Sequence, residues 1–126
     1  KIVPFGKINN KRSFVYIDNL INLIDVILEK QIQGIFLASD PKSISTTELV
    51  KIISKYLDKN IILVPLPYML KKIINGLFPL QFSRIWNSLE INPIAGWKKI
   101  DYFPLTSTEK GIYETVQWYL KQKNKN

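Results

Sequence analysis

Apolar and polar residues follow two periods along this chain, and the switches between them mark the expected elements. Residues 2–5 (Ile-Val-Pro-Phe) read as a short strand ended by Gly6, with Pro4 tolerated only at a sheet edge. After the polar turn Asn9-Asn10, the run Phe14-Val15-Tyr16-Ile17 favours a pleated, half-buried surface, which predicts a strand over 13–16. At Asp18 the pattern becomes helical. Asp18 and Asn19 are residue types that accept from free helix amides, and Leu20, Leu23, Ile24, Ile27 and Leu28 recur on one face of a helix over 18–30. Gly34 closes that helix. Ile35-Phe36-Leu37-Ala38 is a uniformly apolar strand of the kind buried on both faces, and Ser39-Asp40-Pro41 turns the chain out of it.

Ser45-Thr46-Thr47-Glu48 is a capping box flanked by the staple Ile44 and Leu49. It opens a helix whose stripe is Leu49, Ile52, Ile53, Tyr56 and Leu57. Ile61 to Val64 form a strand stopped by Pro65 and Pro67. Tyr68 to about Phe78 form a helix with Leu70, Ile73, Ile74 and Leu77 on one side and Lys71 and Lys72 on the other. Such a basic amphipathic helix can lie on a membrane, although a surface helix that turns its stripe to the core is commoner. Arg84 precedes a short strand within 85–91, and 93–104 reads as irregular around a packed Trp97. Thr106-Ser107-Thr108-Glu109 is a second capping box, before a last helix faced by Ile112, Val116, Tyr119 and Leu120; the tail 121–126 is expected to fray. The order predicts a small mixed α/β domain over residues 1–126. Its strands are short and segment 35–38 asks for cover that few helices can give. The expected chain is therefore a portion of something longer, or one covered by a second copy.

Composition narrows the chemistry. The 126 residues contain neither cysteine nor histidine, which removes thiol chemistry, the usual general base and nearly all zinc patterns. There is no run of transmembrane length and no signal peptide pattern, and a cytoplasmic location is expected. The formal charge of +8 admits nucleic acid, phosphorylated metabolites or an anionic membrane surface. The cations are spread along the chain, and sixteen are lysines against two arginines, Arg12 and Arg84. Where lysine is the default cation, an arginine is the better candidate for holding phosphate or carboxylate with its planar fork. Arg12 also stands at the mouth of the strand-to-helix junction. A solvated arginine at a strand end is the plain alternative.

Other motifs carry less. Tyr68 with Lys72 and Tyr119 with Lys123 have the Tyr-x-x-x-Lys spacing of a dehydrogenase, but six tyrosines among this many lysines give about one such pair by chance. There is no Gly-x-Gly-x-x-Gly and no phosphate loop. Lys11-Arg12-Ser13-Phe14-Val15-Tyr16 has a trace of the basic-aromatic interleaving seen in nucleic-acid binders.

The segment Arg12-Ser13-Phe14-Val15-Tyr16-Ile17-Asp18-Asn19-Leu20 resembles an element of the NAD-dependent epimerase/dehydratase family, the extended short-chain dehydrogenases, and most closely its UDP-sugar 4-epimerase-like members. Later segments agree in order: Ile35 to Asp40, Ser45 to Leu49, Ile61 to Pro67, Arg84 to Ile91, Gly96 to Lys98, and Gly111 to Tyr119. The resemblance covers only the family's C-terminal, substrate-binding portion. It implies that the NAD loop and the catalytic Ser/Thr-Tyr-Lys belong to an N-terminal Rossmann half of the parent, so that this chain alone holds no NAD and turns over nothing. It also implies that Arg12 and Arg84 contact the diphosphate of a nucleotide sugar. The family has an aspartate after its late strand and then a helix before Gly-Trp; here Asn92-Pro93-Ile94-Ala95-Gly96-Trp97 is shorter and is expected to lack that helix, so Asn92 receives no assigned contact.

The first reading is the substrate-binding portion of a UDP-sugar 4-epimerase of bacterial surface-polysaccharide synthesis. A 4-ketoreductase or dehydratase on the same scaffold is the second, and a basic nucleic-acid or anionic-membrane-binding module the third. Salt separates the classes, because polyanion binding weakens by orders of magnitude over a modest salt range.

Overall fold

A computed structural model describes residues 1–125 of the chain. Its elements in order are β1 (Ile2–Gly6), α1 (Ile17–Glu29), α2 (Thr46–Tyr56), β2 (Ile62–Pro65), α3 (Tyr68–Leu77), α4 (Pro79–Trp86), α5 (Ile94–Ile100) and α6 (Thr108–Lys123). The chain is thus mixed α/β, with six helices and one two-stranded sheet among the described residues. It divides into two compact units, one made of Lys1–Arg12 and Ile44–Leu89, the other of Ser13–Ser43 and the segment from Glu90 onward.

In the first unit β1 and β2 pair in parallel, Ile2 with Ile62 and Val3 with Leu63, and the register slips before Gly6 meets Pro65. A Cβ on Gly6 would lie 2.6 Å from the Val64 carbonyl carbon, so this close passage of two backbones requires glycine. The expected capping box closes α2: the Ser45 hydroxyl accepts from the Glu48 amide and the Glu48 carboxylate accepts from the Ser45 amide. Ile8, Ile44 and Leu66 are buried. The rings of Phe82 and Trp86 stack with centroids 4.5 Å apart, and Phe5 packs at a tilt against Trp86.

The second unit is built on Leu23, Trp97, Ile100 and Tyr102, with Val26, Ile27, Ile32, Phe36 and Ala38 packed around them. Trp97 meets Tyr102 and Phe103 edge-on. The inward face of α1 is Leu20, Leu23, Val26 and Ile27, whereas Ile24 and Leu28, expected on it, are exposed.

The structure corrects several expectations. Segments 13–16 and 35–38 are not strands. Each lacks a ladder partner among the described residues, and β-favouring side chains stabilise a strand only against a neighbour. In the second of these segments Ile35 and Leu37 face solvent while Phe36 and Ala38 face the core, so the burial is one-sided. Arg84 does not precede a strand. Pro79 occupies the first turn of α4, a position that suits its fixed φ, and the helix runs past Arg84 to Trp86. Segment 93–104 is not irregular: α5 spans Ile94–Ile100, with Trp97 and Ile100 buried one turn apart, so this region does carry a helix. The cap of α6 is shifted by one residue from the expected box: Ser107 rather than Thr106 is the N-cap and accepts from the Lys110 amide, so Lys110 and not Glu109 holds the third helical position. That helix continues to Lys123, through half of the tail expected to fray; residue 126 lies outside the described residues.

Asp18 and Asn19 do not cap α1 either. Tyr16 is the N-cap, and its side chain makes no capping bond to the helix amides. Its own amide donates to Asp40 Oδ1 at 2.9 Å, and Asn19 turns inward, 2 % exposed. The Asn19 amide group donates to Asp40 Oδ1 (2.7 Å) and to the Thr106 carbonyl (2.8 Å), and its oxygen accepts from the Thr106 amide (3.0 Å). The Tyr102 hydroxyl completes the cluster by donating to the Asn19 carbonyl.

Two expected outcomes follow from this packing. Asn19→Ala removes one of the two donors to the buried Asp40 carboxylate and both bonds to the half-buried Thr106 peptide, and should cost about 3 kcal/mol; urea unfolding that moves by less than a third of this would show that the cluster is not what holds the unit. The glycines of α6 and α3 provide a sign test. At Gly111 a Cβ would lie 2.8 Å from Tyr16 Cβ, whereas at Gly76 nothing lies within 4 Å. Gly76→Ala should therefore gain up to about 1 kcal/mol by helix propensity, and Gly111→Ala should lose about 1–3 kcal/mol by overpacking, both read from denaturation midpoints.

Candidate functional site

Arg12 sits in the first unit where three stretches of chain meet without forming a sheet. Its amide donates to the Ile44 carbonyl (3.0 Å) and its carbonyl accepts from the Ile44 amide (3.1 Å). On its other side the Leu89 amide donates to the Lys11 carbonyl at 2.8 Å, and the Lys11 amide donates to Ser88 Oγ. Arg12 thereby bridges residue 44 antiparallel and residue 89 parallel.

The seam is fixed from below by Asn10, which is 6 % exposed. Its Nδ2 lies 3.0 Å from Thr46 Oγ1, 3.0 Å from the Ile85 carbonyl and 3.1 Å from the Asn87 carbonyl, while its Oδ1 accepts from the Thr46 amide. Thr46 Oγ1 donates to the Ile85 carbonyl in turn. A backbone position gripped in this way gives a half-buried side chain a defined origin. From it, Arg12 Nη1 donates to the Asn87 carbonyl at 3.0 Å. This bond occupies one of the five guanidinium donors, so the fork keeps a free edge.

The second predicted residue is in the same unit. Arg84 is exposed in the last turn of α4, one residue before the Ile85 carbonyl that Asn10 holds. Asn92 belongs to the other unit; its Oδ1 accepts from the Ile94 amide at 3.2 Å and so opens α5. The tyrosines of the two Tyr-x-x-x-Lys pairs are exposed, Tyr68 at the first residue of α3 and Tyr119 on α6, and neither lines the basic hollow at Lys51 or the cleft at Tyr16.

Two hollows were not legible in the sequence. In the second unit a cleft of about 400 Å³ is lined by Val15, Tyr16, Ile17, Glu114, Thr115 and Trp118. Burial raises the Tyr16 phenol above its ordinary pKa, helped by its hydrogen bond to Asp18 and by the charges of Asp18 and Glu114. The one sequence signal was Gly111, whose missing Cβ lets Tyr16 lie against α6. In the first unit a basic hollow of about 380 Å³ is lined by Lys51, Ser54, Lys55, Lys59, Asn60, Ile61 and Leu63. No group of three His, Cys, Asp or Glu side chains able to hold a metal ion occurs among the described residues.

No family model matches the chain. A UDP-glucose 4-epimerase of Vibrio cholerae is 30% identical over 128 residues, a match that takes in 98% of this chain and 39% of that protein. Among solved structures, a dTDP-glucose 4,6-dehydratase from Bacillus anthracis str. Ames, in complex with NAD, superposes with a TM-score of 0.66 at 22% identity, over 96% of this chain and 34% of that one. The chain spans about two fifths of the curated relative and a third of the solved one. The resemblance carried by Arg12 to Leu20 and the segments after it is borne out: along nearly its whole length the chain is similar to part of a UDP-glucose 4-epimerase, and it has the fold of part of a dTDP-glucose 4,6-dehydratase.

Proposed function

We propose that this chain is the substrate-binding, C-terminal portion of an NAD-dependent nucleotide-sugar epimerase of the extended short-chain dehydrogenase family, acting on a UDP-sugar in bacterial surface-polysaccharide synthesis. The observation that carries the reading is the match to a UDP-glucose 4-epimerase over 98% of the chain. The anchored guanidinium of Arg12 supports it. A diphosphate needs a donor that stays charged when partly desolvated and engages two oxygens together; guanidinium meets both demands and ammonium only the first. Arg84 is the second diphosphate contact in this reading, from a helix end in the same unit.

The five glycines stand at 6, 34, 76, 96 and 111, too far apart to make a dinucleotide loop, so the residues here do not fit NAD and hydride chemistry is assigned to the remainder of the parent enzyme. There the sugar C4 hydroxyl would be oxidised and hydride returned to the opposite face. This portion supplies recognition.

The test is Arg12→Lys in the parent enzyme. Losing one charge-assisted bidentate contact costs about 1.5–3 kcal/mol, one to two decades in affinity. UDP-sugar affinity should fall about tenfold or more by calorimetry, with NAD content and melting temperature nearly unchanged. A variant that melts several degrees lower and keeps its substrate affinity would make Arg12 a structural residue of the seam.

A further inference from the structure

The helix pair α3 and α4 has a surface that the proposed function does not use. On α3, Met69, Leu70, Ile73 and Leu77 share one face by helical spacing. The sequence pattern favoured turning the side with Leu70, Ile73, Ile74 and Leu77 to the core. Of these Ile74 is half-buried, whereas Leu70, Ile73 (55%) and Leu77 (68%) are exposed, with Met69 70% exposed beside them. Phe78 and Leu80 continue the apolar surface around the turn into α4, and Tyr68 stands exposed at the start of α3. Contiguous apolar patches beyond a few hundred Å² are rare on soluble monomers and mark an interaction surface.

Charge identifies what the surface meets. Residues 59–89 contain no aspartate or glutamate, and carry Lys59, Lys71, Lys72 and Arg84. On α3 Lys72 is exposed on the Met69 side of the apolar stripe, so its stem can run along the helix flank, whereas Lys71 is half-buried on the opposite side with Ile74. An isologous contact between two copies would set this cationic surface against itself. Nucleic acid would use the charge and leave the apolar stripe wet. A bilayer with anionic headgroups satisfies both at once, and no described helix is long and apolar enough to cross a membrane, so the pair would lie along the interface.

We propose that α3 and α4 form a membrane-surface anchor, with the Met69–Leu70–Ile73–Leu77 face seated in the acyl boundary of an anionic bilayer and Lys72 at the headgroups. The proposal is independent of the nucleotide-sugar reading.

Vesicle co-sedimentation of the 126-residue chain tests it, comparing vesicles of 70% phosphatidylcholine and 30% phosphatidylglycerol with vesicles of phosphatidylcholine alone. The chain should pellet with the anionic vesicles and bind the neutral ones at least about tenfold more weakly, since each lysine near an anionic surface is worth about fivefold. Ile73→Gln with Leu77→Gln should abolish binding and leave the melting temperature unchanged, because both side chains are exposed. Lys72→Glu, which keeps the apolar stripe and reverses one exposed charge, should weaken anionic binding by about tenfold or more. Failure to pellet with either vesicle overturns the proposal. So does anionic binding that the Ile73→Gln, Leu77→Gln variant retains. A dimer in sedimentation that this variant dissolves would likewise overturn it, giving the face to a second copy.

Discussion

Buried asparagine amides do in this chain what β-ladders do in a larger sheet. With one short two-stranded sheet among the described residues, long extended segments must pair their peptide groups in another way, because an unpaired peptide group away from water costs as much as a lost hydrogen bond. Asn10 and Asn19 solve this once in each unit. Each has a donor amine and an acceptor oxygen on one rigid plane, and each uses both on backbone of a distant segment: Asn10 on 46, 85 and 87, Asn19 on 106. Asp40 extends the second hub to the start of α1, replacing the cap that this helix lacks. Such fully satisfied polar clusters fix one arrangement where apolar packing alone would tolerate several.

The arginine favoured on composition stands two residues from one of these hubs, and this proximity matters for its chemistry. A long flexible cation on a loose loop pays entropy to meet an anion. Arg12 starts from a backbone bonded on both sides and a guanidinium already oriented by the Asn87 carbonyl. Under the proposed reading, this preorganisation lowers the ordering cost of binding. Arg84 is instead exposed at a helix end, with its reach set by rotamers rather than by the seam.

The sequence by itself determined the local structure that depends on neighbours in the chain. The α2 capping box needs only Ser45 and Glu48 at the right spacing, and β2 ends where Pro65 and Pro67 begin. The family resemblance and the mixed α/β class were likewise legible, because order of motifs is a property of the string. Tertiary structure decided everything that needed a partner far along the chain. Whether 13–16 and 35–38 become strands depends on a neighbouring strand, which local propensity cannot supply. Whether Asn19 caps α1 or enters the core depends on Asp40 and Thr106, 21 and 87 residues away. The cleft at Tyr16 exists because Gly111 lets the phenol approach a helix nearly a hundred residues later, and the α3 stripe faces outward although its spacing is that of a core helix. Periodicity says that a helix has an apolar face; only the packing of the rest of the chain says which way that face points.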